Sequence, residues 1–150
     1  MVIDFATAVS PYLTLAGFIV GLGAVTVIDI LGWLGRYSPY WTEATTRTHK
    51  VTKPLIWLGM TLVLFGGALL FARENFPPIS WYFFGALSVL IVNGLFLSFA
   101  VSPFLLQRER EGLASEPLPA SWQQKIAVSF VVSFLGWWST FLLVVWFITS

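Results

Sequence analysis

The feature that most constrains this chain is a set of four long stretches that carry almost no charge. They cover residues 11–35, 54–72, 76–106 and 126–150, and Asp29 is the one acidic or basic residue within them. At about 1.5 Å per helical residue, each can cross the ~30 Å hydrocarbon core of a bilayer. A backbone in lipid must satisfy its own hydrogen bonds, and the stretches do not alternate in polarity, so helices are expected rather than barrel strands. The sequence predicts an all-α integral membrane protein.

The predicted architecture is a single four-transmembrane-helix bundle, with helices at about 11–36, 53–73, 78–106 and 122–149. Its orientation follows from the Lys and Arg residues, of which there are eight. Arg73 lies at the end of helix 2. The other seven lie near the end where helices 1 and 2 are connected and helices 3 and 4 are connected: Arg36, Arg47, Lys50, Lys53, Arg108, Arg110 and Lys125. Positive loops stay in the cytoplasm. We therefore predict a multi-pass protein of the cell inner membrane with both termini outside.

The connection between helices 1 and 2 is polar and basic. Residues 42–51 are predicted to form a short helix on the membrane surface, after which Thr52 caps helix 2 and Pro54 occupies its first turn. Basic side chains close to a membrane attract anionic lipids. Membrane lipids are thus expected partners, with headgroup contacts at Arg47, Lys50 and Lys53.

Two segments of the chain resemble each other, which suggests two tandem helical hairpins. Residues 23–32 read GAVTVIDILG and residues 85–94 read GALSVLIVNG, with four identical positions. Further on, Ser38-Pro39 matches Ser102-Pro103 at a slightly larger spacing, so a small insertion is implied. Hairpins have an even number of helices, so the two copies would form a parallel repeat. Chance similarity among the small and aliphatic residues of membrane helices is the alternative.

Asp29 is the most informative single residue, because an ionisable group inside a spanning helix usually faces protein or water. Helical spacing places it about 10 Å from the end of helix 1 and on the same face as Arg36. One interpretation is a structural ion pair with Arg36, Arg47 or a neighbouring lysine. The other is a proton or cation site at the inner mouth of the bundle. At the spacing of the second match, Asn93 is its counterpart in helix 3.

Small residues recur at helical spacing on two helices and predict close helix packing. They are Gly17 and Gly21 in helix 1 and Ser129, Ser133 and Gly136 in helix 4. A polar pathway along the same serines is the alternative interpretation.

The chain offers little to hold a cofactor or to catalyse a reaction. His49 is its single histidine and it has no cysteine. A metal or haem site normally needs two or more such ligands, so no metal and no cofactor are expected. No catalytic residues are predicted, because known nucleophile–base and nucleotide-binding motifs are missing. A net charge of +1 gives no reason to expect nucleic acid as a partner.

The first half of the chain resembles uncharacterised four-helix bacterial inner-membrane proteins near the copper-resistance D family. The similar features are GLGAVTVID at 21–29, with its acidic residue near the inner end of the helix, and KPLIWLG at 53–59. The resemblance implies a bacterial-type inner-membrane protein. The copper association of that family rests on histidines and methionines in the part of the membrane domain that faces away from the cytoplasm. This sequence has no histidine there, so no copper site is carried over.

Three functions are therefore compatible with the sequence. The favoured one is a non-enzymatic membrane protein that acts as a homo-oligomer or as a small structural or accessory subunit of a membrane complex. The second is a small ion or proton channel or transporter that uses Asp29 and Asn93. The third is a redox membrane protein in which His49 residues of several subunits share a haem.

Overall fold

The computed structural model describes residues 5–150, with side chains from residue 8 onward. The helices are α1 (Phe5–Leu34), α2 (Pro39–Ala72), α3 (Pro78–Phe96), α4 (Ser102–Arg110) and α5 (Ala120–Thr149). A π-helical segment, Leu97–Val101, joins α3 to α4 without a break. Four continuous helical stretches are long and apolar enough to cross a membrane: Ala8–Leu34, Pro39–Ala72, Pro78–Arg110 and Ala120–Thr149. The prediction of an all-α bundle with four transmembrane helices is confirmed.

Helix α2 differs from the prediction, because the surface helix and the second spanning helix are one continuous element of 34 residues. It begins at Pro39, after Ser38 in an extended conformation, and Pro54 lies inside it. The predicted cap at Thr52 is wrong, since its hydroxyl donates to Thr48 O within the helix at 3.2 Å. Proline costs one backbone hydrogen bond in a helix interior. Here the hydrogen bonds before and after Pro54 keep the helix continuous.

Helix α1 also begins before the predicted boundary at residue 11. Pro11 lies inside it, in the second turn after the first described residue, Phe5. The helix ends at Leu34, and three residues in turn conformation lead to the extended Ser38. Such a short connection makes α1 and α2 an antiparallel hairpin.

The helices pack as two hairpins, α1 against α2 and α3 against α5, with sparser contacts between the hairpins. Glycines bring α1 and α2 together. A Cβ atom on Gly17 would lie 2.7 Å from Gly59 O, and one on Gly66 would lie 2.5 Å from Thr14 N. The two backbones are thus in direct contact, which is how small residues stabilise helix pairs in lipid.

The best-packed part of the core is aromatic and lies toward the end of the bundle where α2 meets α3. Phe71 is its centre, with ring centroids 5.1 Å from Phe83 and 4.8 Å from Phe147. Phe18 and Trp137 extend the core along α1 and α5. We call the opposite end of the bundle, at residues 35–38 and 111–119, the basic end. Aromatic side chains fill the space between the helices near the connection of α2 to α3. The cavity between the helices lies toward the basic end.

Candidate functional site

A cavity of about 160 Å³ lies between the two hairpins toward the basic end, and all four spanning stretches contribute to its wall. Its polar lining includes Asp29 and Arg36 from α1 and His49 and Lys53 from α2. Ser98 of the π-helical segment is also in the wall and accepts a hydrogen bond from Lys53. The cavity is where the bundle gathers its ionisable groups, so it is the candidate functional site.

Helical spacing on α1 explains why Asp29 reaches this cavity. Asp29, Gly32, Trp33 and Arg36 all line it and follow one another at three- and four-residue intervals, which places them on one helix face. Gly32 keeps this face open, because a Cβ atom built on it would meet nothing within 4 Å. Asp29 itself is partly exposed.

The predicted ion pair of Asp29 is not formed in the structure. Residues 8–150 contain two ion pairs, and neither involves Asp29. Arg36 lies over the ring of Trp33, with 4.9 Å from the guanidinium carbon to the ring centroid. Arg47 is exposed, pairs with Glu43 one turn earlier on α2, and does not line the cavity. The interpretation of Asp29 as a structural ion pair is wrong for these cations.

The two lysines of the basic run also have other partners. Lys50 pairs with Glu109 of α4, with 2.7 Å from Nζ to Oε2. Lys53 Nζ donates to the backbone oxygen of Ser98 at 3.4 Å. Each lysine thus has its partner on the second hairpin. Lys53 still faces the same cavity as Asp29.

His49 is placed in the cavity wall rather than on the membrane surface. Its Nε2 atom is buried and has no hydrogen-bond partner within the described part of the chain. One turn along α2, the hydroxyls of Thr45 and Thr46 donate to the backbone oxygens of Trp41 and Thr42, at 2.7 and 3.2 Å. These hydroxyl hydrogens are therefore used, and the threonine oxygens offer only acceptor lone pairs to anything in the cavity.

Asn93 does not join Asp29 in this cavity. It connects α3 to α5: its Nδ2 donates to Ser129 O at 3.1 Å and to Ser133 Oγ at 2.9 Å, and its Oδ1 accepts from Ser129 Oγ at 2.8 Å. The side chain thus makes three interhelical hydrogen bonds. A pathway formed by Asp29 and Asn93 together has no support in this arrangement, although Ser129 and Ser133 reach the cavity wall.

The predicted packing glycines lie at helix contacts. Gly21 faces the ring of Trp137 on α5, and a Cβ atom on Gly136 would lie 2.6 Å from the side chain of Leu90 on α3. Gly17 lies against α2, as described above. Together with the two serines that hold Asn93, these residues join neighbouring helices.

Sequence reasoning missed that His49, Lys53 and Trp57 line the same cavity as Asp29. Their four-residue spacing places them on one face of a helix. That signal was hidden because the sequence predicted a break in the helix at Thr52 and Pro54. In the continuous α2, the three side chains follow one another along the cavity wall.

Comparison of this chain with protein-family models, with curated proteins and with solved structures finds no match in any of the three.

Proposed function

We propose that this integral membrane protein is non-enzymatic and works as an assembly of more than one chain, either a homo-oligomer or a subunit of a larger membrane complex. The observation that carries the proposal is a pair of matching, unpartnered faces on α1 and α3. We further infer an inner-membrane location, with the basic end in the cytoplasm, from the distribution of Lys and Arg.

The first of these faces, which we call face A, consists of Gly23, Thr26, Val27 and Ile30 on α1. All four residues are exposed, and their spacing of three, four and seven places them on one side of the helix. A Cβ atom on Gly23 would meet no other atom within 4 Å. Face A is thus an exposed strip of one glycine and three β-branched residues that no helix of the described residues covers.

The second face, face B, consists of Gly85, Ser88, Val89 and Val92 on α3. It repeats the pattern of face A residue by residue: glycine, hydroxyl residue, valine and β-branched residue. All four residues are again exposed, and a Cβ atom on Gly85 would meet nothing within 4 Å. Faces A and B are the two copies of the internal sequence similarity, seen in three dimensions.

A glycine in the middle of a helix costs about 1 kcal/mol relative to alanine. At Gly17, Gly59 and Gly66, this cost is offset by close contact between helix backbones. Gly23 and Gly85 have no such contact with residues 8–150. Small residues permit close helix approach in lipid, so a helix of another chain packed on face A or face B would supply the missing contact.

The assembly can be tested with single cysteines, because the natural chain has none. Thr26→Cys and Ser88→Cys place a thiol on face A and face B. In lipid vesicles under mild oxidation, we expect disulfide-linked dimers for at least one of them, because facing helices bring such positions into contact. The measurement is non-reducing electrophoresis of protein reconstituted at low protein-to-lipid ratio.

Matched controls are Leu58→Cys and Leu135→Cys, which are exposed positions outside both faces. They should give only the background of random collision. If Thr26→Cys, Ser88→Cys and a mixture of the two variants form no more dimer than these controls, homo-oligomerisation through face A or face B is excluded. In that case the natural protein should copurify with a second protein in fixed ratio, and Gly23→Leu or Gly85→Leu should lose it, which would identify a subunit of a larger complex. If no second protein copurifies, the assembly is refuted.

A second candidate function is the movement of protons or small cations through Asp29. The observation that favours it is a carboxylate that faces a cavity without an ion pair among the described residues. Ionisable groups at such depth commonly belong to ion or proton pathways. In proteoliposomes with a pH or K⁺ gradient, the natural protein should dissipate the gradient and Asp29→Asn should not. Equal rates for the two proteins, or rates no higher than those of empty liposomes, would reject this function.

A further inference from the structure

The cavity at the basic end places charges of opposite sign on its wall without joining them. Asp29 contributes a carboxylate from α1, and Lys53 contributes an ammonium from α2. The guanidinium of Arg36 also lines the wall and lies over the ring of Trp33. No ion pair among residues 8–150 connects Asp29 to Lys53 or Arg36. Charged groups removed from water are costly unless they are paired or hydrogen-bonded. A molecule that bridges the two charges would therefore be bound more favourably than an apolar one.

The hydrogen-bonding capacity of the wall is divided in the same way. On the basic side, Lys53 Nζ has three hydrogens and uses one of them in a long bond of 3.4 Å to Ser98 O. His49 Nε2 has no hydrogen-bond partner among the described residues and donates to a ligand when this nitrogen carries the proton. The carboxylate of Asp29 on α1 and the hydroxyl oxygens of Thr45 and Thr46 on α2 can only accept. The cavity thus offers donors to an oxyanion and acceptors to an ammonium group.

The remaining wall is apolar and partly aromatic. Trp33 and Trp57 line it together with aliphatic residues such as Ile56 and Val101. Aromatic faces attract cations, as Arg36 over Trp33 already illustrates. The volume of about 160 Å³ is close to the ~150 Å³ that accommodates a benzene-sized molecule. The cavity therefore suits a compact polar group that carries both charges, rather than an extended substrate.

We propose that this cavity binds a zwitterion with a primary ammonium and an oxyanion, independently of whether the protein assembles. The ammonium group is bound at Asp29 and the oxyanion at Lys53 and His49. A simple anion would leave the carboxylate unpaired, and a simple cation would leave the lysine unpaired. The headgroup of phosphatidylethanolamine has this chemistry, and so does a small soluble zwitterion such as phosphoethanolamine.

The test uses the whole protein in nanodiscs of phosphatidylcholine, to which phosphatidylethanolamine or phosphatidylglycerol is added. Native mass spectrometry counts the lipids that remain bound. Phosphatidylcholine has an ammonium group without N–H, so it cannot donate a hydrogen bond to Asp29. Phosphatidylglycerol has no ammonium group, so it offers Asp29 no positive charge. We expect one phosphatidylethanolamine per chain, retained about tenfold better than either, a ratio that corresponds to about 1.4 kcal/mol.

A parallel measurement distinguishes the two sources of the zwitterion. Phosphoethanolamine is added to the detergent-solubilised protein and the melting temperature is recorded. A rise in melting temperature without selective lipid retention identifies a soluble zwitterion, whereas selective retention of phosphatidylethanolamine identifies a lipid. Equal retention of the three lipids without any shift in melting temperature overturns the proposal, and so does preferential retention of phosphatidylglycerol.

Variants then connect the binding to the cavity. Asp29→Asn and Lys53→Gln should each reduce the selectivity about tenfold, since each removes one of the two charges. Glu43→Gln and Lys125→Gln are the matched controls, because these charges do not line the cavity, and they should leave selectivity unchanged. Full selectivity in folded Asp29→Asn and Lys53→Gln would place the binding elsewhere and refute the assignment. The lipid comparison on the natural protein decides the proposal even if both variants fail to fold.

Discussion

Replacing Gly59 with isoleucine is expected to separate α1 from α2 and to cause the largest loss of stability of any single glycine substitution. A Cβ atom at this position would lie against the Cα and N atoms of Gly21 and 2.8 Å from Gly17 O. All of these are backbone atoms, so no side chain can rotate away. Overpacking a core commonly costs 1–3 kcal/mol, and a clash between two helix backbones should cost about 3 kcal/mol or more.

The control for this substitution is Gly85→Ile, which adds the same side chain where nothing lies within 4 Å. Measured by thermal unfolding of the monomer in detergent, Gly85→Ile should stay within about 0.5 kcal/mol of the natural protein. Gly59→Ile should unfold at a much lower temperature. Similar melting temperatures for the two variants would mean that the close contact of α1 and α2 does not stabilise the fold.

Truncating Trp137 to alanine is expected to loosen the contact between the two hairpins. The Trp137 side chain is 1% exposed. It lies against Gly21 of α1, and its ring centroid is 6.1 Å from that of Phe18. Removing a fully buried tryptophan leaves a large cavity, and such substitutions cost about 3–5 kcal/mol. Because direct contacts between the hairpins are few, this loss should also increase protease sensitivity of the segment 111–119 that connects α4 to α5.

The neighbouring Trp138 provides the control, since it has the same side chain on the same helix but is 46% exposed. Trp138→Ala should change the melting temperature in detergent by a small fraction of the change seen for Trp137→Ala. The expectation fails if the two variants are equally destabilised. In that case, both tryptophans would stabilise the fold through contact with the surrounding detergent or lipid rather than through packing against Gly21.

Much of the fold could be predicted from the sequence because lipid leaves few choices to a backbone. The uncharged stretches determine four spanning helices, and the structure has them. The boundaries were less predictable. Thr52 and Pro54 have the appearance of a helix start, yet the hydroxyl of Thr52 bonds within the helix, and α2 runs through Pro54. Local capping preferences are worth about 1 kcal/mol, so the packing of a long helix can override them.

The candidate site was only half predictable for a related reason. Asp29 is conspicuous in an apolar stretch, and sequence alone is enough to single it out. The partners of Asp29 cannot be predicted in this way. The positions of Arg36 and Lys53 in the sequence do not show which other groups these two cations contact. In the structure, Trp33 and Ser98 are those groups. Asn93 was matched to Asp29 by sequence, but a neutral amide can be fully satisfied by α5, whereas a carboxylate there could not.

The π-helical segment Leu97–Val101 lies where the second half of the chain is two residues longer than the first, measured between the matching sequence positions. Gly23 and Gly85 are 62 positions apart, whereas Ser38 and Ser102 are 64 apart, so the second half is longer between these landmarks. The first half breaks its helix there, at residues 35–38, and starts α2 at the Ser-Pro pair. The second half absorbs the additional length in wider turns and continues through its own Ser-Pro pair into α4. At the spacing of 64, α4 corresponds to residues 38–46 at the beginning of α2, so a Ser-Pro pair lies at the start of a helix in both halves.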